Sequence, residues 1–112
     1  MLSHVVSMKF RPAVTTADID ELEKMLEELP NTIVEIQMYE FGRDVLRSGR
    51  SYDYALVALF ANEEALQRYQ KHPEHLKVVE KLNVLCENVI TVDFYGTDAG
   101  DFKERSQLAS PS

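Results

Sequence analysis

The segment from Tyr52 to Ala61 constrains the fold of this chain more than any other, because the strand that it predicts is apolar on both faces. The two alternating sets are Tyr54, Leu56, Ala58 and Phe60 on one face, and Ala55, Val57 and Leu59 on the other. An antiparallel sheet usually packs one face against a core and leaves the other face to water. This strand needs cover on both faces, so a single layer of helices cannot bury it.

Hydrophobic periodicity and turn residues predict the other elements. The predicted strands are Ser3–Phe10, Thr32 to about Val45 with a bulge or bend at Gly42, and Glu87–Tyr95; the predicted helices are Thr16–Leu29, closed by Pro30-Asn31, one capped by Asn62 and one starting at Pro73. This β-α-β-β-α-β order, with its second helical region split, is that of an α+β ferredoxin-like fold with a four-stranded antiparallel sheet and helices on one face. Because the other face is also apolar, we expect two copies to pack sheet against sheet as a homodimeric α+β barrel.

Composition narrows the class of protein. The chain has 112 residues, enough for one domain, and 12 Lys and Arg against 19 Asp and Glu give a net charge of −7. This balance argues against a nucleic-acid or membrane partner, since nucleic acids and anionic membranes are bound by clustered cations. The single cysteine, Cys86, cannot form an internal disulfide. With no signal-peptide pattern at the N-terminus and no apolar run of membrane-spanning length, we expect a cytoplasmic protein.

The end of the chain differs in character from the rest. The periodic apolar pattern stops at about Gly96, and residues 97–112 are polar, with only Phe102 and Leu108 as large apolar side chains. Such a segment has little apolar surface to bury. We therefore predict one domain over residues 1–96 and a flexible C-terminal tail over residues 97–112.

Three stretches of the sequence resemble a known family. They are His4-Val5-Val6 on the first strand, Tyr52-Asp53-Tyr54-Ala55-Leu56-Val57 on the third strand, and Tyr69-Gln70-Lys71-His72-Pro73-Glu74-His75 between the later helices. In combination they resemble the stress-responsive A/B barrel (Dabb) family, over roughly residues 3–95. The resemblance implies a dimeric α+β barrel in which two sheets close around a shared interior.

The resemblance also implies a set of site residues, through a polyketide cyclase of that family. The catalytic histidine base of the cyclase falls on His75, its partner tyrosine on Tyr69 and its supporting histidine on His4. The bulky aromatic residues of the cyclase tunnel are met here by aliphatic residues such as Met25, and a late tryptophan falls near Cys86. The polar trio therefore resembles the cyclase, whereas the substrate-shaped pocket does not.

These residue types suit proton abstraction next to a carbonyl group, with no cofactor. Histidine titrates near neutral pH, so it can take a proton from a carbon acid and return it. A tyrosine hydroxyl can donate a hydrogen bond to the carbonyl oxygen and stabilise an enolate. Each histidine also has a structural interpretation: His72 as the cap of the third helix, His4 bonded to a neighbouring backbone, and His75 on the helix surface.

Two functions remain open at this point. The first is a homodimeric barrel that binds a small hydrophobic carbonyl compound, with cyclase, isomerase or cofactor-free oxygenase chemistry. The second is a non-catalytic dimer that acts in stress response or as a ligand-binding module. An enclosed apolar cavity that touches His4, Tyr69 and His75 favours the first, and a filled core favours the second.

A metal site is a weaker alternative. His72 and His75 are three residues apart, and His4 could join them with Glu74 or Asp93. Metal sites usually show more ligands at tighter spacing, so we predict no bound metal.

Overall fold

The computed structural model describes residues 1–96, and the predicted tail over residues 97–112 lies outside the described residues. The elements are β1 (Leu2–Phe10), α1 (Thr16–Thr32), β2 (Met38–Arg43), β3 (Tyr54–Phe60), α2 (Glu63–Lys71), α3 (Pro73–Leu85) and β4 (Cys86–Tyr95). The strands form one antiparallel sheet in the order β2-β3-β1-β4. The predicted ferredoxin-like order with a split second helix is confirmed. Within residues 1–96, no helix is long and apolar enough to cross a membrane.

The first helix is longer than predicted, and the second strand is correspondingly shorter. The prediction that α1 ends at Leu29 was wrong, because the helix runs to Thr32 with Pro30 inside it. Proline cannot donate a backbone hydrogen bond, yet the last turn is held by the Ile33 N–H, which donates to the Leu29 carbonyl at 2.8 Å. Both of these side chains are buried in the core. A turn follows, and β2 begins only at Met38.

The bulge expected at Gly42 is not where the sheet is irregular. The pairing of β2 with β3 is continuous there, with Gly42 directly opposite Ala55. The register shifts instead between Lys9 and Phe10, where β1 pairs with β4. Of the two alternatives predicted at Gly42, a bulge or a bend, the bulge was therefore wrong.

The break between α2 and α3 positions residues on two sides of a turn. The His72 Nδ1 atom accepts a hydrogen bond from the Glu74 backbone N–H at 3.1 Å, which confirms the capping role predicted for His72. Pro73 occupies the first position of α3, where its missing N–H costs nothing. The chain thus changes direction between Tyr69 on α2 and His75 on α3.

The two faces of the sheet have different surroundings. The face under the helices is closed by α1, α2 and α3, whose buried side chains include Leu22, Leu26, Leu29, Leu66, Tyr69 and Val78. Across residues 1–96 the opposite face has no such cover: the exposed fractions of Ile90, Val92 and Phe94 are 48%, 60% and 46%. Along β1 and β3, buried residues of the covered face therefore alternate with partly or fully exposed residues of the other face.

Candidate functional site

A cavity of about 290 Å³ lies between the helices and the covered face of the sheet. Most of its wall is aliphatic, with Val6, Met8, Leu26, Leu56 and Val78 among the lining residues. The polar residues on its wall include His4, Tyr69 and His75, so all three predicted site residues lie on one cavity. The volume is at the small end of the range for ligand pockets, which fits a small apolar molecule with a polar end.

His75 lies in the first turn of α3 and is partly buried. Its Nδ1 atom is 3.1 Å from the backbone carbonyl oxygen of Gln70. A carbonyl oxygen only accepts, so Nδ1 holds the hydrogen and Nε2 has the free lone pair in the neutral ring. Burial lowers the pKa of His75 below 6.5; the Gln70 carbonyl opposes this shift, and the charges of His4 and His72 add to it. At neutral pH the ring is therefore an unprotonated base.

Tyr69 lies beside this base on α2. Its ring centroid is 4.3 Å from that of His75, and its side chain is almost fully buried. Burial raises the pKa of Tyr69 to about 12, although a hydrogen bond from Tyr39 opposes the shift. Tyr69 therefore keeps its hydroxyl hydrogen at neutral pH and can donate it.

Tyr39 is a site residue that the sequence did not identify. It lies on β2 and its hydroxyl oxygen is 2.6 Å from that of Tyr69, and both residues line the cavity. Burial raises the pKa of Tyr39 well above 10, and the neighbouring Tyr69 adds to the shift. The sequence placed Tyr39 in an extended segment whose two faces were equally apolar, so it gave no signal that this side chain points under the helices.

His4 is buried on the central strand β1, with 5% of its surface exposed. Its Nδ1 atom is hydrogen-bonded to the Asp93 carboxylate on β4, directly across the sheet, rather than to a neighbouring backbone. The ring also contacts Phe60 and Tyr69 edge to face, with centroid distances of 6.2 and 6.1 Å. The carboxylate holds the ring in one orientation, with the hydrogen on Nδ1.

The histidines do not form the alternative metal cluster. Across residues 1–96, no three His, Cys, Asp or Glu side chains are grouped closely enough to hold a metal ion. The Nδ1 atom of His72 is occupied by its capping bond to Glu74, and that of His4 by its bond to Asp93.

A second recess, of about 470 Å³, lies at the other end of the sheet and is lined mostly by charged residues. Three of its cations are paired with carboxylates: Lys9 with Glu87 at 3.5 Å, Arg47 with Asp53 at 3.2 Å, and Arg43 with Asp20 at 2.8 Å and Glu23 at 2.9 Å. The fourth, Arg11, donates to the backbone carbonyls of Val84 at 3.2 Å and Asn83 at 3.4 Å. Paired charges of this kind have little left to bind a ligand. The cavity with His75 is therefore the better candidate site.

Comparison with curated proteins gives distant relatives over most of the chain. A stress-response A/B barrel domain-containing protein of Arabidopsis thaliana is 26% identical over 98 residues, which cover 86% of this chain and 90% of that protein. Olivetolic acid cyclase of Cannabis sativa is 24% identical over 95 residues, which cover 83% of this chain and 94% of the cyclase.

Solved structures share the fold. A dimeric ferredoxin-like protein of Thermobifida fusca superposes with a TM-score of 0.78 at 26% identity, covering 85% of this chain and 90% of that chain. A hydroxynitrile lyase of Passiflora edulis superposes with a TM-score of 0.79 at 15% identity, covering 88% of this chain and 94% of the lyase, a likeness of fold alone. The family model of the stress responsive A/B barrel domain matches residues 2–95. With that match over most of its length, the chain belongs to the stress-responsive A/B barrel domain family.

Proposed function

We propose that this protein catalyses proton transfer next to the carbonyl group of a small hydrophobic compound. In this proposal His75 is the general base, Tyr69 donates a hydrogen bond to the carbonyl oxygen, and His4 is a supporting group. The observation that carries the proposal is that all three side chains line one mainly aliphatic cavity of about 290 Å³.

The first step is removal of a hydrogen from the carbon beside the carbonyl group. The proton goes to Nε2 of His75, because Nδ1 already donates to the Gln70 carbonyl. The electron pair of the broken C–H bond forms the carbon–carbon double bond of an enolate, and negative charge develops on the carbonyl oxygen. The lowered pKa of His75 keeps the ring unprotonated at neutral pH, ready to accept the proton.

The second requirement is a donor for the developing oxyanion. Tyr69 is close to His75, is almost fully buried and keeps its hydroxyl hydrogen, since its pKa is about 12. A fixed and buried donor stabilises such charge more strongly than a mobile water molecule does. His4, held by Asp93, packs edge-on against the Tyr69 ring and supports its position.

The enolate then has two outcomes. Return of the proton from His75 to the same or another carbon gives exchange or isomerisation. Attack of the enolate carbon on a second carbonyl group of the same molecule closes a ring, and the alkoxide formed takes the proton back from Nε2 of His75. The relative from Cannabis sativa is named a cyclase. The small aliphatic cavity favours a short apolar substrate. The reaction that follows enolisation depends on whether that substrate has a second carbonyl group.

We also propose that the protein is a homodimer joined through the uncovered face of the sheet. That face exposes Ile90, Val92 and Phe94, a patch of a kind that soluble proteins usually bury. Similar structures from Thermobifida fusca and Bacteroides fragilis are described as dimeric ferredoxin-like proteins. In this dimer the covered face of each sheet carries the candidate site, and the uncovered face packs against the partner subunit.

Deuterium exchange tests the catalytic proposal without knowledge of the natural substrate. The probe is 2-nonanone in neutral D₂O, and NMR follows loss of the hydrogens on the two carbons that flank its carbonyl group. We expect the protein to accelerate this exchange, and we expect His75→Asn to reduce the acceleration by about 100- to 10,000-fold, the usual contribution of a positioned acid–base group. Asn at position 75 keeps a donor for the Gln70 carbonyl, so the helix start is preserved.

Tyr52→Phe is the matched control, because the Tyr52 hydroxyl bonds to Asn88 at 2.5 Å and Tyr52 is not part of the cavity wall. Its exchange rate should equal that of the unmodified protein. Full exchange activity in His75→Asn contradicts the role of His75. Binding of 2-nonanone without any acceleration contradicts the catalytic proposal and supports the non-catalytic ligand-binding dimer instead.

A further inference from the structure

The two tyrosines of the cavity form a pair that the catalytic trio does not include. Tyr39 on β2 and Tyr69 on α2 are 30 residues apart in sequence, and their hydroxyl oxygens are 2.6 Å apart. Their rings meet edge to face with a centroid distance of 6.2 Å. Within residues 1–96, neither hydroxyl has any other hydrogen-bond partner in the protein.

Counting hydrogens shows what such a pair can do. Two hydroxyl groups hold two hydrogens, and the bond between them uses one. The second hydrogen belongs to the hydroxyl that accepts, and it is left for a group inside the cavity. A hydroxyl that accepts a hydrogen bond also becomes a stronger donor, because bonds in a chain polarise one another. The pair therefore offers one strengthened donor to a ligand.

The position of His75 decides which tyrosine faces the ligand. The His75 ring lies 4.3 Å from the Tyr69 ring, centroid to centroid, so an oxygen next to the base meets Tyr69. We propose that Tyr39 is a positioning residue that donates to Tyr69 and directs the Tyr69 hydroxyl hydrogen at the ligand, so that the cavity selects ligands with a phenolic or enolic oxyanion. The inference takes its ligand oxygen from the function proposed above.

The ligand class follows from what surrounds that donor. The aliphatic wall, including Val6, Leu56 and Val78, accepts an apolar ring or chain, while the polar end offers a donor in Tyr69 and a base in His75. A phenol acidic enough to give its proton to His75 leaves its oxygen on the Tyr69 hydroxyl. It therefore imitates the enolate that proton abstraction from a ketone produces.

The experiment compares two probes of nearly equal shape, 4-nitrophenol and nitrobenzene. The absorption band of 4-nitrophenolate reports whether the bound ligand is ionised, and nitrobenzene reports binding by shape alone. In the unmodified protein we expect 4-nitrophenol to ionise at a lower pH when bound than when free. In Tyr39→Phe we expect phenolate affinity to fall by about tenfold, the usual effect of one lost hydrogen bond, with no change in nitrobenzene affinity.

Two further variants calibrate the result. Tyr69→Phe should lose more phenolate affinity than Tyr39→Phe, because it removes the donor itself. Tyr54→Phe is the matched control, because Tyr54 is another buried tyrosine whose hydroxyl donates elsewhere, to Glu23 at 2.8 Å. It should bind both probes like the unmodified protein.

Three outcomes overturn the inference. They are unchanged phenolate affinity in Tyr39→Phe, an equal loss of both probes in that variant, and no shift of 4-nitrophenol ionisation in the unmodified protein. The last outcome needs no variant, so it decides the matter even if Tyr39→Phe does not fold. Loss of phenolate selectivity in Tyr39→Phe without any 2-nonanone exchange in the unmodified protein supports the paired hydroxyls and contradicts the catalytic function.

Discussion

The two faces of this sheet are built from alternating residues of the same strands, yet their side chains differ in polarity and in surroundings. His4 and Asp93 point to the covered face, whereas their neighbours Val5 and Val92 point to the open face. On the covered face the polar groups are at least partly buried and bonded to one another, as in the His4–Asp93 and Tyr39–Tyr69 pairs. On the open face apolar side chains such as Ile90, Val92 and Phe94 are exposed when residues 1–96 of one chain are considered alone.

The two faces of the sheet are stabilised by different kinds of interaction. A buried polar group is costly unless it has a partner, so the covered face needs specific pairs at specific places. An apolar face needs only to be covered, because burial of apolar surface has no direction. One chain can therefore form the polar pairs of the covered face by itself, while the apolar residues of the open face are buried only when another surface covers them. We therefore expect substitutions on the two faces to have different effects on assembly and on stability.

The largest effect is expected from a charge on the open face, in Val92→Asp. In a single chain Val92 is 60% exposed, so a monomer should tolerate the change, whereas a sheet-to-sheet dimer would bury the carboxylate without a partner. We expect dissociation or a loss of several kcal/mol in the free energy of unfolding. Light scattering measures the mass, and thermal melting at several protein concentrations measures the stability.

Val34→Asp is the control, since Val34 is 84% exposed and lies off the sheet, in the turn after α1. It should change the unfolding free energy by about 0.5 kcal/mol or less. A monomeric mass for the unmodified chain, or equal tolerance of the two substitutions, contradicts the proposed dimer.

The same comparison shows how much the sequence could predict. The two alternating sets of residues given for β3 separate the four residues that the structure buries from Ala55, Val57 and Leu59 on the other face. The local signals at Asn62 and His72-Pro73 predicted where α2 and α3 begin. These features depend on residues that are close in sequence. The end of α1 was missed because burial of Ile33 outweighs the local effect of Pro30, and burial depends on the whole fold.

The site was predicted in part for the same reason. The resemblance to a family supplied His4, Tyr69 and His75, and the structure places them around one cavity. The partners of two of them could not be found from sequence, because His4 and Asp93 are 89 residues apart and meet only through strand register. Tyr39 reaches Tyr69 only because the register of β2 turns its side chain under the helices.

A smaller effect is expected when the polar pair on the covered face is broken. In His4→Leu the ring is replaced by an apolar side chain of similar size, and the Asp93 carboxylate loses its partner. In a double-mutant cycle with Asp93→Val, we expect a coupling energy of about 1–2 kcal/mol, reduced by the partial exposure of Asp93. Urea unfolding of the four proteins measures this energy, and strictly additive losses would show that the pair contributes nothing.

The smallest effect is a pH dependence of stability that comes from His75. Burial, followed by the charges of His4 and His72, lowers the pKa of His75 in the folded protein below 6.5, while the unfolded chain keeps a value near 6.5. Between these two values the unfolded state binds more protons, so the free energy of unfolding decreases as the pH falls through 6.5 and levels off below the folded pKa.

Melting temperatures measured from pH 8 to about pH 5 should show this decrease, and His75→Asn should make it smaller. The same base should set the acid limb of 2-nonanone exchange, with the rate falling only below pH 6.5. A protein that becomes more stable as the pH falls through this window, or a slope that His75→Asn leaves unchanged, contradicts a partly buried neutral base on the covered face.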